Sequence, residues 1–342
     1  MKAHFLQIAI FVLLFIGYSI DTAAQDMERY TFQSRHMGTQ INLILYSDDD
    51  SLANRAANAA FERIEELNQI MSDYIPESEL NRISRKSGSG EWMQVSDDLF
   101  RVLEKSVWIS EKTDGLFDVT IGPMTHEWRY IRRLPEPALP DAATLDSLKA
   151  SVNYRYIELD VENQSVRLTA PNMQLDFGGI AKGYAAQEAV KTVQSFGISS
   201  VLVDAGGDIT LGSPPPGRDS WDVAIPKGSR GSGSQAHTTV QISGKTLTTS
   251  GDMFQFAVID GVRYSHIVNP KTALGATEQI QATVLSSDGM FADAFASALT
   301  LMEPEEAIQL IEKIENTEAL IYKEVDGEVK QWATSGMQVL LK

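Results

Sequence analysis

Residues Arg29 to Tyr46 are patterned as strand, interrupted at Met37-Gly38-Thr39, and Ile41 to Tyr46 reads as a buried strand. Asp48 to Ser51 forms a turn with an N-cap, and Leu52 to Ile70 carries helical spacing rich in Ala, Arg and Glu. Pro76 ends that run. A short helix is expected from Ser78, stopping before Ser87-Gly-Ser-Gly90. Asp97 to Thr113 is amphipathic and halts at Asp114-Gly115. After a proline-rich connection from Pro135 to Pro140, Tyr156 to Thr169 alternates as a hairpin turning at Asn163-Gln164. Gly179 to Phe196 is predicted helical, and Ser200 to Val203 is a buried strand running into Ala205-Gly206-Gly207-Asp208. Gly212 to Gly217 turns around three prolines, and the Gly/Ser-rich Lys227 to Ser234 reads as a mobile loop. Strands follow around Thr238 to Ile242, Phe256 to Ile259 and Gln281 to Leu285. Helices at Met290 to Leu301 and Pro304 to Ile314 lead to a final hairpin. Strands and helices intermix without regular βαβ units or an internal repeat, which favours an α+β fold over a doubly wound sheet.

Composition narrows the setting. The 342 residues are 43% hydrophobic, enough for one large or two modest domains with a real core. The net charge of −17 repels nucleic acid and anionic lipid, so any anionic ligand must be handled locally by a metal, backbone amides or placed cations. Lys2, the apolar run Phe5 to Ile20 and the small residues before Gln25 read as an export signal, cleaved after Ala24. An uncleaved anchor is the alternative, for which the run is short. The chain has no cysteine, so stability must rest on the core rather than on disulfides. These features lead to the expectation of an exported, periplasmic protein, held at the outer face of the inner membrane if the segment is retained.

Three segments carry chemistry. In Asp288-Gly-Met-Phe-Ala-Asp293-Ala-Phe-Ala-Ser297, helical spacing puts the Asp293 carboxylate and the Ser297 hydroxyl on one face, one turn apart. Two hard oxygen donors so placed suit Mg²⁺; an N-capping Asp with a space-filling Ser is the other reading. In Leu175-Asp176-Phe177-Gly178-Gly179-Ile180-Ala181-Lys182-Gly183, a strand ends and a glycine pair opens a helix, a suitable place for phosphate but not the dinucleotide fingerprint. Lys182 would reach a phosphate or pair with Asp176. In Tyr264-Ser-His266-Ile267-Val-Asn269-Pro270, His266 stands between a strand-like run and a turn, either as a hydrogen-bonded structural residue or as a catalytic base.

Taken together, these segments resemble the ApbE family of FAD:protein FMN transferases. Further pieces agree in the same order: Met37-Gly-Thr39, Met71-Ser-Asp-Tyr74-x-Pro-x-Ser-Glu79-Leu, Gly115-Leu116-Phe117-Asp118-Val-Thr120-Ile-Gly122-Pro123, Ala205-Gly-Gly-Asp208 and Leu247-Thr-Thr-Ser250-Gly-Asp252. The resemblance runs from about residue 30 to the C-terminus. It implies a single large α+β domain of mixed sheets with packed helices, spanning 29–342 after a signal peptide at 1–24. It also implies FAD as substrate and Mg²⁺ held by Asp293, Ser297 and the carbonyl of Gly179. The flavin site would use Met37, Tyr74, Leu116, Phe117, Asp118, Asp176, Lys182 and Ile267, with His266 as base. By the resemblance, a Thr or Ser hydroxyl of an acceptor attacks the FMN phosphorus, AMP leaves, and FMN remains attached through a phosphoester. The acceptors would be flavoprotein subunits of extracytoplasmic redox complexes. Asn269, Lys271 and Ala273 replace the Asp, Arg and Gly common in the family, Ser297 stands where Thr is common, and Met253 where an aromatic is usual. An Mg²⁺-dependent FAD pyrophosphatase and a non-catalytic FAD carrier are the competing readings.

Overall fold

The computed structural model describes residues 27–227, 237–251 and 255–341. The proposed signal segment, most of the Gly/Ser-rich loop, Asp252 and Met253 lie outside the described residues. The first hairpin joins β1 (Glu28–His36) to β2 (Thr39–Ser47) through Met37 and Gly38, both at positive φ (50° and 72°). That two-residue turn matches the twist of the strands it connects. Helix α1 (Asp50–Met71) starts at Asp49, whose carboxylate accepts from the Leu52 amide. Helix α2 (Glu79–Ser84) is capped by Ser78. After β3 (Met93–Gln94), α3 (Asp97–Lys112) is capped by Ser96. Helices α4 (Gly122–Ile131) and α5 (Ala142–Ala150), which the pattern did not announce, precede the hairpin of β4 (Ile157–Asp160) and β5 (Ser165–Leu168).

Helix α6 (Ala181–Ser195) leads to β6 (Val201–Ala205), β7 (Asp208–Leu211), and the paired strands β8 (Trp221–Pro226) and β9 (His237–Ile242). Then come β10 (Thr246–Ser250), the hairpin of β11 (Phe256–Ile259) and β12 (Val262–Ser265), the short β13 (Val268–Asn269) and β14 (Leu274–Gly275), and β15 (Ile280–Ser286). Helices α7 (Gly289–Leu299) and α8 (Pro304–Ile311), the hairpin β16 (Thr317–Val325) and β17 (Glu328–Ala333), and a further short helix α9 (Ser335–Leu340) complete the described chain. Asp288 caps α7, accepting from the Met290 amide, so Asp293 does not cap its own helix but lies within it.

An eight-stranded antiparallel sheet, ordered β1-β2-β6-β7-β10-β15-β16-β17, forms the centre. One face carries α1, α6, α7 and α8 over a core that includes Leu43, Ile64, Val203, Phe295 and Ile321. The opposite face buries Leu211, Leu247, Leu285 and Leu320 beneath β8, β9 and Met337 of α9. A third cluster joins Trp128 and Ile131 of α4 to Ala257 and Ile259 of β11. Among the described residues, no helix is long and apolar enough to cross a membrane.

Helices α6 and α7 meet at paired glycines. A Cβ on Gly183 would lie 2.1 Å from the Gly289 carbonyl oxygen, and one on Gly289 would lie 2.3 Å from the Gly183 oxygen. Backbones this close admit no side chain. Gly183→Ala should therefore force the helices apart, costing about 1–3 kcal/mol. Denaturant titration checks the loss, and an unchanged midpoint would contradict the tight crossing.

Candidate active site

The glycine crossing delivers Asp293 to the start of α6. Its Oδ2 accepts from the Gly183 amide at 3.0 Å, acting as a cap from another helix for an α6 N-terminus that has no side-chain cap of its own. Lys182 Nζ lies 2.8 Å from Asp208 Oδ2 and 3.5 Å from Asp293 Oδ2. Two buried carboxylates thus share one ammonium. Burial, reinforced by Asp208, pushes Asp293 up to about 7 despite Lys182 and the Gly183 amide. Lys182 moves the opposite way to its burial, held protonated by Asp208 and Asp293. Asp208 Oδ1 and Thr248 Oγ1 are buried without a hydrogen-bond partner among the described residues. The Asp208–Lys182–Asp293 group thus holds one carboxylate more than it has ammonium groups, and Asp208 Oδ1 keeps its lone pairs.

Ser297, one turn beyond Asp293, adds a hydroxyl 3.2 Å from Ser250 Oγ. Its oxygen is 3.4 Å from where a side chain on Gly179 would begin, so the glycine turn and α7 face each other across a narrow gap. The turn is shaped by Asp176, whose Oδ1 accepts from the Gly178 amide at 2.8 Å.

Asp176 corrects one sequence expectation. It does not pair with Lys182. Its Oδ2 accepts from Thr125 Oγ1 (2.6 Å) and Arg129 Nη2 (2.8 Å). Lys182 points instead to Asp208, at the start of β7. Arg129 also binds Asp73, and its guanidinium lies 4.6 Å from the centre of the Tyr74 ring. Burial would raise Asp73, but His126 and Arg129 overcome it and hold the carboxyl below its usual range. Arg129 thereby ties the Tyr74 turn, α4 and the glycine turn together. Arg129→Leu would strand two poorly exposed carboxylates and should cost about 3 kcal/mol. Chemical denaturation checks this, and wild-type stability would contradict the bridging role. Asp118 is likewise committed within the protein: one oxygen accepts from Thr120 and the other from the Tyr154 amide at 2.7 Å.

His266 follows β12 and is half-buried. Its Nδ1 lies 3.2 Å from the Gln255 carbonyl oxygen, which can only accept, so Nδ1 carries the hydrogen and Nε2 the lone pair. Burial, followed by the field of Arg132, lowers the imidazole to about 4, leaving it neutral at pH 7.

Two adjoining cavities collect these groups. The larger, about 670 Å³, is walled by Met37, Tyr74, Lys182, Asp208, Asp293 and Ser297 among others. The smaller, about 240 Å³, is lined by residues including Leu116, Phe117, Asp118, Asp176, Gly179 and Arg132. Tyr74, Gln255, His266, Ile267 and Ser297 border both. Every site residue expected from sequence lies on one of these walls. Tyr74 is 68% exposed in a turn after α1, not packed at the core edge, even with Arg129 over its ring. Met37 sits in the hairpin turn at the rim. Arg129, Arg132, Thr125 and Gln255 were not anticipated. Asp208 was legible as the polar end of Ala205-Gly206-Gly207-Asp208, one of the segments that carry the resemblance, but with no role assigned to it.

A profile of the ApbE family matches residues 37–321, which takes in both cavities. The chain belongs to the ApbE family. The FAD:protein FMN transferase of Vibrio cholerae serotype O1 is 28% identical over 307 residues, covering 89% of this chain and 90% of the relative. The transferase of Escherichia coli K12 is 28% identical over 269 residues, covering 77% and 75%. The solved flavin transferase ApbE from Vibrio cholerae superposes with a TM-score of 0.80 at 27% identity, covering 92% of this chain and all of that one. The ApbE protein of Thermotoga maritima, at 23% identity, shares the fold with the same score. The α+β architecture is thus the ApbE architecture, and the two cavities lie within its matched region.

Proposed function

We propose that the protein transfers FMN from FAD to a Ser or Thr hydroxyl of an acceptor protein, in an Mg²⁺-dependent reaction that releases AMP. One observation carries the reading: a neutral imidazole borders the same cavity as a buried, cation-deficient oxygen cluster, in a chain whose relatives are named FAD:protein FMN transferase. The larger cavity is within the roughly 300–1,000 Å³ usual for small-molecule sites.

The donor set fits a hard divalent cation. Asp293 and Ser297 supply oxygens beside the Gly179 turn, and the uncompensated charge of the Asp208–Lys182–Asp293 group would be offset by one. Held there with the Gly179 carbonyl, Mg²⁺ would neutralise the diphosphate of FAD. The rest falls to the chain's own side chains. Tyr74 offers an exposed aromatic face for a flavin ring. His266 Nε2 accepts the proton of the acceptor hydroxyl as its oxygen bonds to the FMN phosphorus. The bond from that phosphorus to the bridging oxygen breaks, and AMP leaves with that oxygen. Asp176 and Arg129 hold the glycine turn and the Tyr74 turn in place. Lys182, already shared by two carboxylates, sets the charge of the cluster rather than offering a free ammonium to phosphate.

The N-terminal pattern supports export, so the acceptors we propose are flavoprotein subunits of extracytoplasmic redox complexes. Incubation with FAD, Mg²⁺ and an acceptor domain containing Ser-Gly-Ala-Thr, the form of acceptor motif that the family resemblance implies, followed by intact mass measurement, tests the reaction. The expected product is the acceptor carrying one FMN. Free FMN with an unmodified acceptor would replace transfer by hydrolysis, and bound, intact FAD would replace it by carriage.

A further inference from the structure

The β11–β12 hairpin has one closed edge and one open edge. The His266 amide donates to the Gln255 carbonyl, so Gln255 and His266 form a hydrogen-bonded pair at the base of the hairpin. In an antiparallel ladder these pairs alternate, which turns the backbone groups of Phe256 and Val258 away from β12. On the far side of β12, the Ser265 amide donates to Ala276 and the Ala276 amide to Ile267, closing that edge. No other strand pairs with β11 among the described residues.

The β11 strand itself carries no charged residue, although the Arg263 guanidinium of β12 lies 4.0 Å from the centre of the Phe256 ring. The outer strands of the large sheet carry charges that discourage a further strand: Glu28, Arg29 and Arg35 on β1, Glu328 and Lys330 on β17. β11 reads Phe-Ala-Val-Ile. Ala257 and Ile259 pack inward on α4, while Phe256 and Val258 are 38% and 53% exposed. Other small sheets also end in uncharged strands, such as β9, so what sets the β11 edge apart is its position. It leads directly into Gln255 and His266, which border both cavities.

We propose that the open edge of β11 is the acceptor-docking surface: an extended acceptor segment adds to it as a strand and is thereby led to His266. The inference rests on the transferase reading above and extends it to how the second substrate is held. Backbone hydrogen bonds to Phe256 and Val258 would bind a segment largely irrespective of its side chains, and the exposed Val258 and Phe256 side chains would favour apolar neighbours around the modified residue.

Two substitutions test it. Val258→Pro removes an outward N–H without touching the ladder to β12, and Val258→Lys places a charge on the edge. Val329→Lys, on the already charged β17, serves as the control. Transfer to the Ser-Gly-Ala-Thr acceptor domain is measured against its concentration, and FAD binding by flavin fluorescence. Both Val258 variants should raise the acceptor KM on the order of tenfold with unchanged FAD affinity, while Val329→Lys behaves as wild type. Acceptor KM values within twofold of wild type in both would overturn the docking surface while leaving the transferase reading intact. No FMN on the acceptor even with the wild-type protein would overturn both.

Discussion

Asp293→Asn is expected to reduce FMN transfer by at least about a thousandfold while leaving the fold intact. The asparagine oxygen can still accept from the Gly183 amide, so the α6 start stays capped. What is lost is the charge that would hold a cation against the diphosphate. A second readout runs the other way. Burial and Asp208 push Asp293 up to about 7, so above that pH the folded state bears an ionised carboxylate it disfavours. Replacing it with a neutral isostere should therefore maintain or raise the midpoint of thermal unfolding at pH 8. A variant that is inactive yet no less stable indicates a group kept for function at a cost to the fold. Asp293→Ala should be equally inactive. Undiminished transfer by either variant would refute the cation assignment, and a collapse in stability would make Asp293 a structural residue.

His266→Ala should slow transfer by about 10²–10⁴-fold with FAD affinity within twofold of wild type. The imidazole is a wall residue with its Nδ1 committed to Gln255, so its loss removes a proton acceptor rather than a principal binding surface. Its depressed pKa fixes the sign of the pH dependence. With a folded value of about 4 and an ordinary value near 6.5, the unfolded chain binds the extra proton first as pH falls. The stability tied to His266 is full above about pH 6.5 and is lost as pH drops toward 4. His266→Ala should therefore lose less stability than wild type between those limits. Its Nε2 should stay available through neutral pH, so no loss of rate between pH 8 and 6 should come from this residue. Wild-type rates in the variant would remove His266 from the mechanism.

Elements with a strong local signal were legible. The capped turn within Asp48 to Ser51, the start at Ser78 and the amphipathic run from Asp97 marked helices that the structure caps with Asp49, Ser78 and Ser96, and the hairpin at Met37-Gly38 follows from a glycine between two strand-like runs. Helix α4 was not legible because it begins at Gly122-Pro123 without a side-chain cap and its inward face, Met124, Trp128 and Ile131, is filled by partners far along the chain. The site divides in the same way. Asp293 and Ser297 share a helix face, so their spacing alone suggested a pair of donors. The partner of Lys182 was not readable, because Asp208 and Asp293 meet it only after β7 and α7 are packed against α6. Arg129 carried no signal: its importance arises from Asp73 and Asp176, 56 and 47 residues away. Local patterns thus exposed single donors, whereas the charge balance that defines the cluster is a product of tertiary packing.

The most direct measurement is anomalous diffraction from a crystal of the protein soaked with FAD and Mn²⁺ as a stand-in for Mg²⁺. A metal peak bound by Asp293, Ser297 and the Gly179 carbonyl, with the FAD diphosphate on its open side and His266 facing the FMN phosphorus, is the predicted result. A diphosphate lying elsewhere, or a metal with no contact to Asp293, would contradict the account.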